Sequence, residues 1–442
     1  MIEKQDPELL EKIRQQFDSA PYPRIPLEKS PKEDYDLLYI HNLVTPYYLR
    51  NQKVINTENT VILDAGCGSG YKSLVLAEAN PGAKIVGVDL SEKSVELARQ
   101  RLEHHGFENY EFHVISINDL PELGIEFDYI NNDESLYLFD DITVPLKAMK
   151  AVLKPHGIIR TNLHSAIQRS NLFRVQEMFT IMGLMDGNPE ETEIGLARET
   201  MKALKDGVLL KRQTWSKNMA ESDEAMLMNY LFQGDKGYTI PDLFTALDKA
   251  NLEFISMVNW RRWDLMELFK DAEDLPVFLA MSLPGISIEE KLHLFELLQP
   301  IHRLLDFWCG HPDATQPYKD VSEWTDTDWA QAQVSLHPQL RTDKTKEDLI
   351  ECIRTRRPFE ISKYIKVPTL VALHQESYIV ACLLPLWDGT QPFMKLVERS
   401  HQIRPVDPIT LEPISKQTIF EQVKELLSDL EPFLYVLLER SA

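Results

Sequence analysis

The sequence predicts an α/β fold, in which residues 56–165 form a parallel β-sheet with helices on both faces. Three observations predict it. Residues 61–74, Val-Ile-Leu-Asp-Ala-Gly-Cys-Gly-Ser-Gly-Tyr-Lys-Ser-Leu, read as a strand, a glycine turn and a helix. Apolar β-rich runs then alternate with helical patterns as far as residue 161. A chain of 442 residues with 43% hydrophobic composition can also bury a large core, and its length suggests two or three domains.

In the first unit Val61, Ile62 and Leu63 make the strand and Asp64 closes it. Gly66, Gly68 and Gly70 follow at alternate positions before a helix over 71–79. Glycine suits a turn whose backbone takes positive φ or lies against a ligand, and the helix behind it presents free N–H groups. The third glycine comes one residue earlier than in the dinucleotide pattern G-x-G-x-x-G, and no G-K-[ST] marks a phosphate loop. The second strand, Lys84 to Asp89, ends in a carboxylate about 20 residues past the glycines, where two oxygen acceptors match a vicinal diol. Ser91 caps the next helix, which stops at Gly106. Tyr110 to Ile117 is the third strand, leading into Asn118-Asp119-Leu120-Pro121. Phe127 to Ile130 is the fourth, and residues 131–137 follow at the carboxyl ends of the strands, where open α/β sheets bind ligands. Lys154-Pro155-His156-Gly157 turns the chain into the fifth strand, Ile158 to Thr161.

The glycine motif at 64–70, the acid at 89 and the L-K-P-x-G turn at 153–157 resemble the class I S-adenosylmethionine-dependent methyltransferases, whose core is a Rossmann-like sheet. The resemblance covers residues 55–165 and implies S-adenosyl-L-methionine as cofactor. It carries Asp64, Ala65, Gly66, Cys67, Gly68, Gly70, Asp89, Leu90 and Asn132 into the cofactor site. The acid that holds the adenine amino group in many members falls on Ser116 here, with Ile117 supplying the backbone amide. Asp119 either substitutes from three residues on or caps the turn. Tyr137 falls in the stretch that lies over the transferable methyl in this family, while Asn132 and Asp133 lie nearer its methionine end. Asn162, His164 and Arg169 follow strand five and are expected to face the same cavity.

Residues 1–55 read as an N-terminal helical segment with an extended Pro-rich stretch over 21–26. The resemblance implies that it lies across the pocket as a lid, with one of Tyr22, Tyr47 or Tyr48 touching substrate or cofactor. Core packing is the competing role for each tyrosine. Residues 166–237 read as a helical insertion that caps the substrate, and 238–263 as the return to the core. Residues 264–365 read as a helical domain. Residues 366–442, with a D-G-T turn at 388–390 and a long amphipathic helix over 418–439, look like a winged-helix module. A methyltransferase core with such an extension is similar to bacterial chains that carry a methyltransferase regulatory domain, protein lysine methyltransferases among them.

The formal charge of -22 removes the phosphate-neutralising contribution on which nucleic-acid binding depends, so no nucleic-acid partner is expected. No basic-then-apolar leader and no apolar stretch approaching 18 residues is present, which predicts a cytoplasmic protein without a membrane partner. Four scattered cysteines fit a reducing compartment. Cys309, His311 and His302 lack a fourth ligand at regular spacing and read as packing residues, with no metal site.

A sulfonium methyl is a strong electrophile, so the protein mainly has to align a nucleophile and exclude water. Where the nucleophile arrives protonated, His164 or Asp133 could act as base. The expected activity is methyl transfer to an oxygen or nitrogen of a small molecule. Two alternatives stay open: a protein lysine methyltransferase that docks its target through the C-terminal module, and an inactive cofactor-binding regulator. Protein binding or a homodimer contact is the expected use of that module.

Overall fold

The computed structural model describes residues 23–272, 274–369, 371–407 and 409–440. Two short helices, α1 (Tyr35–His41) and α2 (Val44–Asn51), precede the core. The core then alternates β1 (Val61–Ala65), α3 (Tyr71–Ala79), β2 (Lys84–Asp89), α4 (Glu92–His104), β3 (Tyr110–Val114), β4 (Phe127–Asn132), α5 (Thr143–Ala151) and β5 (Leu153–Ser165). Two later strands complete it: β6 (Glu253–Met257) and β7 (Leu304–Gly310). The strand order is β3-β2-β1-β4-β5-β7-β6, with a two-residue strand at Gly237–Tyr238 added beside β5. β1 to β5 are parallel, and β7 runs antiparallel to both its neighbours. The central strands are buried because helices cover both faces of the sheet, and their apolar residues fill two clusters while polar residues gather toward the carboxyl ends. The Rossmann-like sheet expected from the sequence is thus the observed core.

Several boundaries differ from those read in the sequence. Strand five begins at Leu153, so the Lys154–Gly157 segment is an irregularity inside a long strand, marked by a register shift against β4. The region 264–365 is not a helical domain: β7 lies within it and closes the core sheet. The segment Leu-Leu-Asp-Phe-Trp-Cys-Gly is too short to separate strand from helix by periodicity, and only its pairing with β5 decides. Residues 238–263 therefore supply only half of the return to the core.

The C-terminal unit also extends past the predicted boundary at 366. Its antiparallel sheet takes its middle strand, β8 (Ala332–Leu336), from the region assigned to the helical domain. The last strand, β9 (Val436–Arg440), pairs along the whole of β8. The helix expected over 418–439 ends at Leu430, since Pro432 cannot continue it, and the remaining apolar residues are extended. One hydrophobic cluster joins this unit to the start of the chain, packing Tyr39, Val44 and Tyr48 with Trp329, Phe393 and Leu427.

Between β5 and β6, residues 170–230 form helices around a separate cluster that includes Val175, Phe179, Met201, Met226 and Tyr230. Among the described residues no helix is long and apolar enough to cross a membrane.

Candidate active site

A cavity of about 400 Å³ opens at the carboxyl ends of β1, β2 and β4. Its floor is the glycine turn. Gly66 and Cys67 donate backbone N–H groups to the Val88 carbonyl at 2.8 and 2.9 Å, and Gly68 donates to Asp89 Oδ2 at 3.0 Å. Asp89 Oδ1 accepts from the Ser91 N–H at 2.9 Å, so this carboxylate also orders the turn. Gly66 has φ +79°, and a Cβ there would sit 3.1 Å from Ser135 Oγ. A Cβ at Gly70 would come 2.5 Å from Ala98 Cα, which makes that glycine a helix-packing residue. Gly70 does not line the cavity, contrary to the sequence reading.

The other predicted cofactor residues divide in the same way. Asp64, Gly66, Cys67, Gly68, Asp89, Leu90, Ser116 and Ile117 line the cavity. Ala65 and Asn132 stand behind it: Asn132 Nδ2 donates to the Ala65 carbonyl at 2.9 Å and its Oδ1 accepts from Thr161 Oγ1 at 2.8 Å, binding the ends of β1, β4 and β5 together. Asp119 is exposed on the short helix after β3 and is excluded from the wall, because Ser116 caps that helix and turns it outward.

Asp64 is buried, accepting from Ser73 Oγ at 2.6 Å and Asn131 Nδ2 at 2.9 Å. Burial pushes its pKa up to about 6 against those two hydrogen bonds. Asp133 behaves oppositely. Burial would raise it, but Lys72, Arg160 and His41 override that and hold it well below the ordinary carboxylate range. Lys72 Nζ lies 2.8 Å from Asp133 Oδ2, and Asn162 Nδ2 donates to its Oδ1 at 2.6 Å. A carboxylate so firmly ionised is a poor proton acceptor, so Asp133 is a wall residue that holds Lys72 and not a base.

His164 and Tyr137 are not on the cavity wall. His164 is 2% exposed; its Nδ1 donates to Asp235 Oδ1 at 2.6 Å and its Nε2 accepts from Arg303 Nη1 at 3.2 Å. Burial lowers its pKa in spite of Asp235, which leaves a neutral ring with both nitrogens engaged. Tyr137 stacks on this ring and packs in the main core. Arg169 binds the other oxygen of Asp235 at 2.8 Å, behind the same layer. Asn162 holds the Glu134 N–H through Oδ1 at 2.9 Å and so positions the loop without facing the cavity.

Of the tyrosines, Tyr22 lies outside the described residues. Tyr47 donates to the Asp128 carbonyl at 2.8 Å, near the opposite end of β4. Tyr48 donates to Glu431 Oε1 at 2.8 Å in the junction with the C-terminal unit. Neither reaches the cavity, because α2 packs against β6 and the C-terminal sheet. The cover comes instead from Pro23, Ile25 and Leu37. Arg101 straps this segment down, donating to the Ile25 and Pro26 carbonyls at 2.8 Å each and to Ser69 at 2.9 Å. The wall also holds Tyr71 and Lys72 on the first turn of α3, and Leu138 and Phe139 after β4, which the sequence reading did not assign to the site, together with Glu134 and Ser135 from the 131–137 stretch that it placed at the mouth without singling them out. The first pair was findable, since the turn after a glycine motif faces its ligand.

A family model described as a methyltransferase domain matches residues 56–228. Residues 56–228 of this chain are a class I S-adenosylmethionine-dependent methyltransferase domain. Over 92% of its length the chain shares the fold of PKMT2 from Rickettsia typhi, solved in complex with AdoHcy, at 17% identity, a TM-score of 0.59 and 76% coverage of that chain. An uncharacterized protein of Synechococcus sp. is 24% identical over 315 residues, 71% of this chain and 73% of its own. The ubiquinone biosynthesis O-methyltransferase of Bordetella avium is 31% identical over 118 residues, 26% of this chain and 46% of that protein.

S-adenosylmethionine is the cofactor of this family, and the donor set fits it. A cradle that a Cβ at Gly66 would crowd, a carboxylate at Asp89 for a diol, and an apolar slot between Leu90, Ile115 and Ile117 open into one cavity. The buried Asp64 and the Lys72–Asp133 pair provide both signs of charge that an amino-acid end requires.

Proposed function

We propose that the methyltransferase is active and moves the methyl group of S-adenosylmethionine to an oxygen or nitrogen of an acceptor entering beside Glu134, Ser135, Leu138 and Phe139. The observation that carries this reading is the convergence of the glycine turn, Asp89 and the loop after β4 on one cavity of about 400 Å³. When bound, S-adenosylmethionine supplies an electrophilic methyl group. The work left to the protein is to hold, align and exclude water. Gly66, Gly68 and Asp89 would hold the cofactor, and Leu138 and Phe139 with the strapped Pro23–Ile25 segment give the site apolar walls. No base on this wall is needed for a nucleophile that arrives unprotonated.

The acceptor is a small molecule or a slender group on a larger one. The second form is favoured by one observation: among the described residues none between 166 and 237 lines the cavity, which supports a site that the insertion does not enclose. Those helices are occupied with their own core.

Calorimetry with S-adenosylhomocysteine and with NAD tests the cofactor assignment, and mass spectrometry of candidate acceptors after incubation with S-adenosylmethionine tests transfer. Tight NAD binding without a response to S-adenosylhomocysteine would end this reading.

A further inference from the structure

At the cavity's rim the Glu134 carboxylate is gripped by Arg303, from the segment leading into β7. Arg303 Nη2 donates to Oε1 at 2.6 Å and Nη1 to Oε2 at 3.2 Å. Glu134 holds φ +54°, a left-handed backbone uncommon outside Gly, Asn and Asp, and the Asn162 amide oxygen accepts its N–H there. Strain of this kind persists only where the surroundings enforce it, and it gathers at functional sites. The strained residue is also a wall residue, with Ser135 and Leu138 beside it.

Arg303 is held from behind as well as in front. Its Nη1 reaches His164 Nε2 at 3.2 Å, His164 is fixed by Asp235 at 2.6 Å, and the Arg303 carbonyl accepts from the Ser165 N–H at 3.0 Å. The pair nevertheless meets solvent: the Glu134 and Arg303 side chains are 26% and 44% exposed. The other wall carboxylates are committed inward, Asp64 to Ser73 and Asn131, Asp89 to the glycine turn, Asp133 to Lys72 and Asn162. Glu134 is the one whose partner stands half in water at the mouth.

We propose that Glu134 selects a cationic acceptor and that Arg303 is an internal cation covering this carboxylate until the acceptor's ammonium group takes its place. The proposal deepens the methyltransferase reading and rests on it. An ammonium offers three donors to the oxygens that the guanidinium now occupies, and an exposed ion pair is weak enough to exchange. On release Arg303 keeps His164 as its partner, so the exchange strands no buried group. Glu134 recognises the ammonium as it enters; the nitrogen then gives its proton to solvent at this open mouth, and the neutral amine takes the methyl group as the sulfonium's carbon–sulfur bond breaks, leaving S-adenosylhomocysteine. The shared chemistry is a primary ammonium on a flexible alkyl chain, carried by a free diamine or by a lysine side chain.

The test uses the full chain saturated with S-adenosylhomocysteine, in low-salt buffer, with calorimetric titration of cadaverine and of a short peptide bearing one lysine. A norleucine version of the peptide is the uncharged control. Arg303→Met is expected to bind one or both cationic probes roughly five-fold more tightly than wild type, the upper range for releasing an exposed pair. Glu134→Gln is expected to lose about ten-fold or more, as when a charged hydrogen-bond partner is removed. The norleucine peptide should respond to neither change. Which probe gains tells whether the amine is free or peptide-borne. Arg303→Lys, with a smaller gain in the same direction, replaces Arg303→Met if that variant melts early. Cation binding unchanged or weakened in the Arg303 variants, or unchanged in Glu134→Gln, overturns the proposal. S-adenosylhomocysteine affinity, measured on the same samples, separates this from a failure of the methyltransferase reading, which would show as no cofactor binding by wild type.

Discussion

The phenol ring of Tyr137 lies flat on the imidazole of His164, with centroids 3.9 Å apart and planes inclined by 19°. The stack ties the loop after β4 to the end of β5, and Phe232 from the helical insertion meets the edge of Tyr137 at 6.3 Å. Both residues are core parts of the scaffold under the cavity, whereas the family resemblance drew them to the reacting atoms.

Truncating the stack is therefore expected to cost stability first. Tyr137→Ala should lower unfolding free energy by about 3 to 5 kcal/mol, as for other large aromatic residues removed from a core. His164→Ala should cost about 1 to 3 kcal/mol by leaving buried polar partners unsatisfied. Denaturant titrations and S-adenosylhomocysteine affinities on the same samples check this: the two quantities should fall together. Intact stability with a selective loss of turnover would return these residues to the chemistry.

Gly66→Val and Asp89→Ala address the cofactor directly. A branched side chain at φ +79° is strained, and its Cβ presses on Ser135 Oγ at 3.1 Å. Asp89→Ala removes the oxygens offered to a diol, a loss of about 1.5 to 3 kcal/mol in binding. It also frees the Gly68 and Ser91 N–H groups, so a small drop in melting temperature accompanies it. Wild-type affinity in Asp89→Ala would show that the end of β2 is not the diol site.

His337 carries a pH prediction for the junction between the two ends of the chain. Its Nε2 meets Thr45 Oγ1 at 3.0 Å, its Nδ1 accepts from the Gln339 N–H at 3.2 Å, and its ring packs 4.5 Å from Tyr39. Burial lowers its pKa from 6.5 to about 3. The folded value lies below the unfolded one, so the neutral ring contributes its full stability above pH 6.5. That contribution is lost progressively as pH falls from 6.5 toward 3. His41, also lowered by burial, adds to the wild-type slope, which makes the difference between variants the useful measure. Melting temperature should drop less between pH 7 and pH 5 in His337→Gln than in wild type. Equal drops would mean that His337 does not set the acid limit.

What the sequence by itself determined is the part governed by near neighbours in the chain. The Val61–Leu63 strand, the glycine turn, the spacing to Asp89 and the alternation of strand and helix are written in windows of a few residues. Those windows, together with the family resemblance they carry, singled out Gly66, Gly68, Leu90, Ser116 and Ile117, all of which line the cavity. The tertiary structure decided whatever depends on a distant partner. β7 is a strand in this sheet because β5 is there to pair with it, and β9 is one because β8 is. Tyr48 faces Glu431, 383 positions away, which is why a tyrosine near the motif in sequence lies far from it in space. Charge state follows the same rule: Asp64 and Asp133 are both acids at strand ends, but burial raises the first while Lys72 and Arg160 depress the second. A residue type names a functional group, but the dielectric around it and the charges beside it come from other segments, and those are set only when the chain packs.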